Sequence, residues 1–207
     1  RSVYTATAPT TDAGWSTVIS IGSSADNITG MEEITGTPYF GKEDVPYYRT
    51  STPTTEVLGA SLISEKSSTS GKNPLAWQGN LYYPCGSQAL YEYKKSTGVW
   101  TDLSPSKYIT NSADFDGRVQ ALAADAQWLF AFIDNDTKLE LLAGRWEEVD
   151  SVTDWVWHPL SELTLTGAEM AFASTVFARR LWVTSTSSSD SIYYYPLPSQ
   201  YGNITAD

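Results

Sequence analysis

The chain has 207 residues, which is enough for one well-cored domain or for several units of a repeat array. Hydrophobic residues make up 41% and charged residues only 18%, a balance that excludes a disordered chain. The net charge of −11 repels phosphate groups, so we expect neither nucleic acid nor an anionic membrane surface as a partner.

No apolar stretch approaches the roughly 20 residues that a membrane-spanning helix needs, and no signal peptide is visible. The single cysteine, Cys85, excludes an intrachain disulfide and leaves the compartment open. The chain begins at Arg1 and not at Met, and we therefore expect a processed product or a fragment.

Short aromatic and β-branched runs, bounded by Gly, Asn, Asp and Ser, predict strands along most of the chain. In chain order these runs are 36–41, 45–48, 81–83, 90–93, 128–133, 181–184 and 192–195. The alanine-containing stretch 119–129 is the best helix candidate, but its Asp125 and the aromatic run after it favour strand, turn, strand. The polar segments 51–55 and 65–73 are typical of loops, and 134–136 and 185–190 of hairpin connections.

Three segments repeat a strand, a hairpin turn and a second strand. Their alignment brings Leu81, Leu129 and Leu181 to equivalent positions, 48 and 52 residues apart. In the first two copies a Gly-x-Trp, at 98–100 and 144–146, opens a further strand. A period of about 45–50 residues with four strands is typical of propeller blades.

The predicted fold class is therefore all-β, a β-propeller or part of one, made of four-stranded antiparallel blades. We treat 1–207 as one domain with units at about 20–65, 73–112, 117–165 and 168–207. The first unit is the weakest copy, and the last has no clear fourth strand. A β-sandwich is the alternative that strand spacing leaves open.

The segments 119–146 and 178–182, with the opening 1–7, resemble propeller domains in virion proteins of tailed bacteriophages. This resemblance implies a non-catalytic structural or binding module located in a virion, with other virion proteins or further copies of the chain as partners. The WD-type Gly-His and Trp-Asp pairing and the full sialidase box are both absent from the sequence. The alternative is an extracellular carbohydrate-binding propeller, lectin-like or glycosidase-like, with a cell-surface glycan as its partner.

Residues for catalysis are scarce, and we predict that the protein is not an enzyme. His158 is the only histidine, so any Ser-His-Asp or Cys-His arrangement must use it, and we assign it no catalytic role. One His and one Cys cannot form the usual zinc site. The neighbours Glu32-Glu33 and Glu147-Glu148 point to opposite faces of a strand, which argues against a paired-carboxylate glycosidase.

We predict no cofactor and no metal site. Calcium is chemically possible at the Asp-rich segments 114–117 and 134–136. Neither segment matches a full EF-hand loop, and Asp, Asn and Gly are also the residues that tight turns favour.

Three tryptophans, Trp146, Trp155 and Trp157, form the candidate binding site. Trp155 and Trp157 share one face of a strand, which would be a stacking platform for a sugar or a protein partner if exposed. If this face instead meets a neighbouring unit, it belongs to the core. Packing between units needs large apolar side chains, which favours the core alternative.

The last unit should expose apolar surface, because each repeat buries its faces mainly against its neighbours. We expect Trp182 and the strand 193–195 to be less buried than Trp128 and Leu129. We also expect the chain to self-associate through surfaces near its ends.

Overall fold

The computed structural model describes residues 21, 25, 27–42, 46–49, 55–57, 74–85, 89–108, 117–134, 138–164, 171–185 and 192–197. Within these residues the protein is all-β, with four antiparallel sheets and one single-turn helix, α1 (Pro105–Tyr108). No helix in this part of the chain is long and apolar enough to cross a membrane.

Each sheet is built from strands that follow one another in the chain. Sheet 1 contains β1 (Ile28–Ile34), β2 (Thr37–Lys42), β3 (Tyr47–Arg49) and β4 (Thr55–Val57). Sheet 2 contains β5 (Leu75–Trp77), β6 (Asn80–Cys85), β7 (Ala89–Lys94) and β8 (Val99–Asp102). Sheet 3 contains β9 (Arg118–Ala124), β10 (Leu129–Asp134), β11 (Lys138–Val149) and β12 (Val152–Thr164), and sheet 4 contains β13 (Ala171–Phe177), β14 (Arg180–Ser185) and β15 (Ile192–Pro196).

Two-residue turns join the first two strands of sheets 1, 2 and 4. These turns are Thr35-Gly36, Gln78-Gly79 and Ala178-Arg179, and all six residues have positive φ. That backbone is the type I′ hairpin turn, whose twist matches the twist of the flanking strands. The segment 119–129, the best helix candidate, is confirmed as strand, turn, strand: Asp125 Oδ1 accepts hydrogen bonds from the backbone N–H groups of Gln127 and Trp128.

The sheets pack on one another in chain order. Ile34 and Tyr39 of sheet 1 form a buried cluster with Leu81 of sheet 2. Sheets 2 and 3 share a larger cluster that includes Tyr82 and Leu129, and sheets 3 and 4 share one around Phe130, Leu181 and Val183. Among the described residues, no such cluster joins sheet 4 to sheet 1.

The repeat predicted from sequence is confirmed in the second strand of three sheets. Leu81, Leu129 and Leu181 are each buried in the cluster shared with the preceding sheet. The residue after each leucine points to the other face. Tyr82 and Phe130 are buried against the following sheet, whereas the equivalent Trp182 is only half-buried. Several predicted features lie outside the described residues: the opening 1–7, the segments 65–73, 114–116, 135–136 and 186–190, and most of 51–55.

Candidate functional site

Two of the three predicted platform tryptophans lie in the core. Trp155 and Trp157 of β12 are buried between sheets 2 and 3, with ring centroids 5.3 Å apart. Trp157 Nε1 donates a hydrogen bond of 2.8 Å to the Leu103 carbonyl oxygen. Trp146 is half-buried beside Trp155, and Lys94 Nζ lies 4.7 Å from its ring centroid. Sheet 2 covers the face that Trp155 and Trp157 share, so this face is core, the alternative that the sequence favoured, and these two residues do not form an exposed binding platform.

Gly144 makes room for these rings. A Cβ atom added there would lie 2.5 Å from Trp155 Cζ2 and 2.6 Å from two ring carbons of Trp157. Atoms do not approach so closely without displacing a ring or the backbone. The glycine of the Gly-x-Trp sequence in sheet 3 is thus required by packing. The prediction that this sequence opens a further strand is wrong here, because Gly144 lies inside β11, whereas Gly98 does precede β8.

His158 belongs to a network of sheet 3 side chains around Trp128, which is itself part of the cluster shared with sheet 4. Its Nε2 lies 3.1 Å from Glu147 Oε1, which also accepts a hydrogen bond of 2.6 Å from Arg145 Nε. The Arg145 guanidinium lies 4.0 Å from the ring centroid of Trp128, which also contacts the His158 ring edge to face. Cys85 is buried on β6 of sheet 2, so the two residues of a Cys-His pair lie on different sheets.

Opposing effects act on the pKa of Glu147. Burial alone would raise it, but the hydrogen bonds from Arg145 and His158, and their charges, hold the pKa below its usual value. A carboxyl group with a lowered folded-state pKa stabilises the fold above its unfolded-state pKa. That contribution is lost as the pH falls through the folded-state pKa.

We expect Glu147→Gln to lower the free energy of unfolding by about 1–2 kcal/mol at pH 7, since a neutral amide oxygen accepts weaker hydrogen bonds than the carboxylate does and does not attract the Arg145 charge. The difference from the unsubstituted chain should shrink on acidification and vanish once Glu147 is protonated in the folded state. Urea unfolding between pH 7 and pH 3 measures it. The matched control is Glu148→Gln, because Glu148 is exposed and adjacent. Equal losses in the two variants at every pH would contradict the argument.

Glu32 and Glu33, the other pair of neighbouring carboxylates, also lie in different surroundings. Glu32 is half-buried, and burial raises its pKa despite backbone hydrogen bonds from Glu33 and Ala76. Glu33 is exposed and accepts a hydrogen bond of 3.0 Å from the Gly36 N–H. Within the described part of the chain, no three His, Cys, Asp or Glu side chains lie close enough together to hold a metal ion.

An exposed aromatic surface lies on sheet 4. We call Phe177, Arg180, Trp182 and Tyr194 the outer aromatic face, because their strand positions place them opposite the side that packs on sheet 3. The rings of Trp182 and Tyr194 are 5.2 Å apart, and the Arg180 guanidinium lies 4.8 Å from the Tyr194 centroid. Phe177 is 69% and Tyr194 55% exposed.

This exposure confirms one sequence prediction. Trp182 and the strand 193–195 are less buried than Trp128 and Leu129, both of which are fully buried. Phe177 and Arg180 are the members that the sequence reasoning missed. Their only signal is their position, on either side of a two-residue turn in the last repeat.

A pocket of about 320 Å³ opens between sheets 3 and 4. We call it the interface pocket. Its walls are mainly apolar and include Phe132, Leu139 and Leu141 of sheet 3 and Leu181, Val183 and Tyr195 of sheet 4. Ser161 and Glu162 of β12 are exposed lining residues, and Glu162 Oε2 lies 2.8 Å from Lys138 Nζ. The chemistry of this pocket is therefore that of an apolar binding site with a charged rim.

No known protein family and no curated protein matches the sequence. Among solved structures, the computationally designed Ika4 protein is similar at a TM-score of 0.54 and 10% identity, over 89% of this chain and 99% of that protein. The AfRom2 CNH domain is similar at a TM-score of 0.51 and 8% identity, over 88% of this chain and 56% of that one. At such identities the likeness concerns the fold alone, an all-β arrangement of antiparallel sheets with three or four strands.

Proposed function

We propose that the chain is a β-propeller, or a segment of one, that works as a non-catalytic protein-binding scaffold through the outer aromatic face of sheet 4. The observation that carries the proposal is the break in the repeat at Trp182. The equivalent residues Tyr82 and Phe130 are buried against the following sheet, and Trp182 is not. A face built like the buried ones, yet uncovered, favours association with another polypeptide.

The composition of the face supports a protein partner. Aromatic and arginine side chains are enriched where protein interfaces bind most tightly. The outer aromatic face combines three aromatic rings with Arg180 on a chain of net charge −11. The bacteriophage virion as the setting rests on the sequence resemblance and stays a prediction.

A second candidate is carbohydrate binding. The specific observation in its favour is the accessible pair Trp182 and Tyr194, whose ring planes are tilted by 44°, since exposed aromatic rings can stack on apolar sugar faces. In this alternative the sugar-binding platform lies on sheet 4, and Trp155 and Trp157 are not part of it. A glycan array separates the two functions, because saturable binding to one sugar class, lost in a Trp182 variant, supports only the second.

The experiment is sedimentation of the purified chain over a range of micromolar concentrations. We expect the mean mass to rise with concentration, and Trp182→Ser with Tyr194→Ser to reduce this association at least tenfold. Val152→Ser is the matched control, since Val152 is 63% exposed and lies on sheet 3. A monomer at every concentration would remove self-association from the proposal. An unchanged mass in the double variant would remove the outer aromatic face.

A further inference from the structure

We infer that the outer aromatic face of sheet 4 packs on the uncovered face of sheet 1 in a second copy of the chain. The inference rests on the proposed function and names the partner of that face. Three observations support it: both ends of the row of sheets are uncovered, the same kind of contact is made three times within the chain, and the two faces carry side chains that attract one another.

Sheet 1 has an uncovered face of its own. We call it the leading face, and it consists of Met31, Glu33, Pro38, Phe40 and Arg49. Strand alternation places these residues on the other side of the sheet from Tyr39, which packs on sheet 2. Met31 is 67% exposed. The face is closed off at its Lys42 end, where Nζ donates a hydrogen bond of 2.8 Å to the Ile21 carbonyl oxygen.

The leading face corresponds to the side of sheets 2 and 4 that packs on the sheet before. Pro38 lies two residues after its hairpin turn, as Leu81 and Leu181 do in sheets 2 and 4. The two leucines are 1% and 0% exposed because the preceding sheet covers them, whereas Pro38 is only half-buried. Sheet 1 therefore presents the receiving half of the repeated contact without a sheet to fill it.

Sheet 4 presents the other half. Phe177 is the last strand residue before its hairpin turn, as Ile34 and Trp77 are in sheets 1 and 2. Ile34 and Trp77 are 3% and 8% exposed because they pack in the clusters shared with the following sheet, whereas Phe177 is 69% exposed. The outer aromatic face and the leading face are thus the two unmatched halves of a contact that joins sheets 1 and 2, 2 and 3, and 3 and 4.

A second copy can match both halves. Within the described residues no buried cluster joins sheet 4 to sheet 1, and both faces keep a strongly exposed apolar side chain, Phe177 on one and Met31 on the other. A contact between two different surfaces is heterologous, so it continues from copy to copy until the rotation closes a ring. Each added copy offers the next one the face that it needs.

The contact between sheets 1 and 2 indicates which side chains would meet across the copies. There the ring centroids of Tyr39 and Tyr93 are 6.2 Å apart. By strand register, Trp182 is equivalent to Tyr39, and Arg49 is equivalent to Tyr93. We therefore expect Trp182 of one copy to lie against Arg49 of the other, where a guanidinium group over an indole ring is favourable.

Charge also favours this pairing of faces. Arg180 lies on the outer aromatic face and Glu33 on the leading face, and in the described part of the chain neither forms an ion pair. Glu33 Oε1 accepts a hydrogen bond from the Gly36 N–H, and the carboxylate can accept more. Opposite charges on the two faces offset part of the repulsion between copies whose net charge is −11.

The test combines two variants that each disable one face. Met31→Asp places a charge on the leading face, and Trp182→Ser with Tyr194→Ser removes two rings from the outer aromatic face. In sedimentation each chain alone should associate at least tenfold more weakly than the unsubstituted chain. An equal mixture should form a dimer and no larger species, because one intact face of each kind remains. Val99→Asp is the matched control, since Val99 is 53% exposed on β8 and the change in charge is the same.

Methyl resonances observe the contact directly. The chain has two methionines, and the Met31→Asp chain identifies the resonance of Met31 by its loss. In the labelled double variant this resonance should shift when unlabelled Met31→Asp chain is added, because aromatic rings approach it. Unlabelled double variant, which lacks those rings, should not shift it. The urea midpoints of Met31→Asp and Val99→Asp should agree, which shows that the first chain is folded.

The outcomes separate this inference from the proposed function. If the double variant loses association and Met31→Asp retains it, the outer aromatic face binds some other surface, so the proposed function stands and this inference is overturned. A monomeric unsubstituted chain, a mixture that stays monomeric or a Met31 resonance that does not move overturns it as well. Unchanged association of the double variant removes the proposed function and this inference together.

Discussion

Phe130→Ala should lower the free energy of unfolding by about 3–5 kcal/mol, whereas Trp182→Ala should lower it by about 1 kcal/mol or less. The two residues follow the repeat leucines Leu129 and Leu181 and so occupy equivalent positions. Phe130 is fully buried between sheets 3 and 4, and its loss leaves a cavity in that cluster. Trp182 is the larger side chain, yet it is only half-buried, so less contact is lost.

Urea unfolding at a concentration where the chain is monomeric measures both values. Because domains are stable by only about 5–15 kcal/mol, the Phe130 variant should unfold at a clearly lower midpoint. An equally large loss in Trp182→Ala would mean that the outer aromatic face is covered in solution by its own chain. The protein-binding proposal would then lose the surface on which it depends.

Gly144→Ala should destabilise the fold by about 1–3 kcal/mol, the usual cost of overpacking a core. A loss of stability would be informative, because alanine in a strand interior normally makes the fold more stable than glycine does, by about 0.5–1 kcal/mol. At this position the new methyl group would lie 2.5 Å from Trp155 and 2.6 Å from Trp157, and both rings are buried. Neither can rotate away without displacing a neighbour.

A double-mutant cycle with Trp155→Phe isolates this clash. Trp155 Nε1 has no hydrogen-bond partner among the residues that the structure describes, so the smaller ring loses packing contacts but no such bond. The cost of Gly144→Ala should be smaller in the Trp155→Phe background than in the unsubstituted chain. Equal costs in the two backgrounds would show that the Trp155 ring does not set the requirement for glycine, and would leave the Trp157 ring as the contact to test.

The repeat was predictable because each copy carries the same local signal. A leucine followed by an aromatic residue opens the second strand, and the alternation of strand side chains then fixes the two faces at Leu81, Leu129 and Leu181. Sheet 1 was harder to predict, since β1 has no aromatic residue and the β-branched residues lie only at its ends, at Ile28, Thr29 and Ile34.

The candidate site was predicted only in part. Alternation showed that Trp155 and Trp157 share a face, but whether a face is core depends on which sheet lies against it. Such contacts join residues far apart in sequence, as between Trp157 and Leu103. The interface pocket depends on the spacing between two sheets, and no local pattern encodes that spacing.

The packing of the sheets in chain order has a consequence for biosynthesis. Each sheet pairs strands that are adjacent in the chain and buries its first face against the sheet made just before it. Loop closure therefore costs little entropy at each step, and local contacts favour fast folding. The chain can add one sheet at a time as it leaves the ribosome, and the newest sheet then exposes the face that the next sheet would cover. Among the described residues, the outer aromatic face of sheet 4 is such a face.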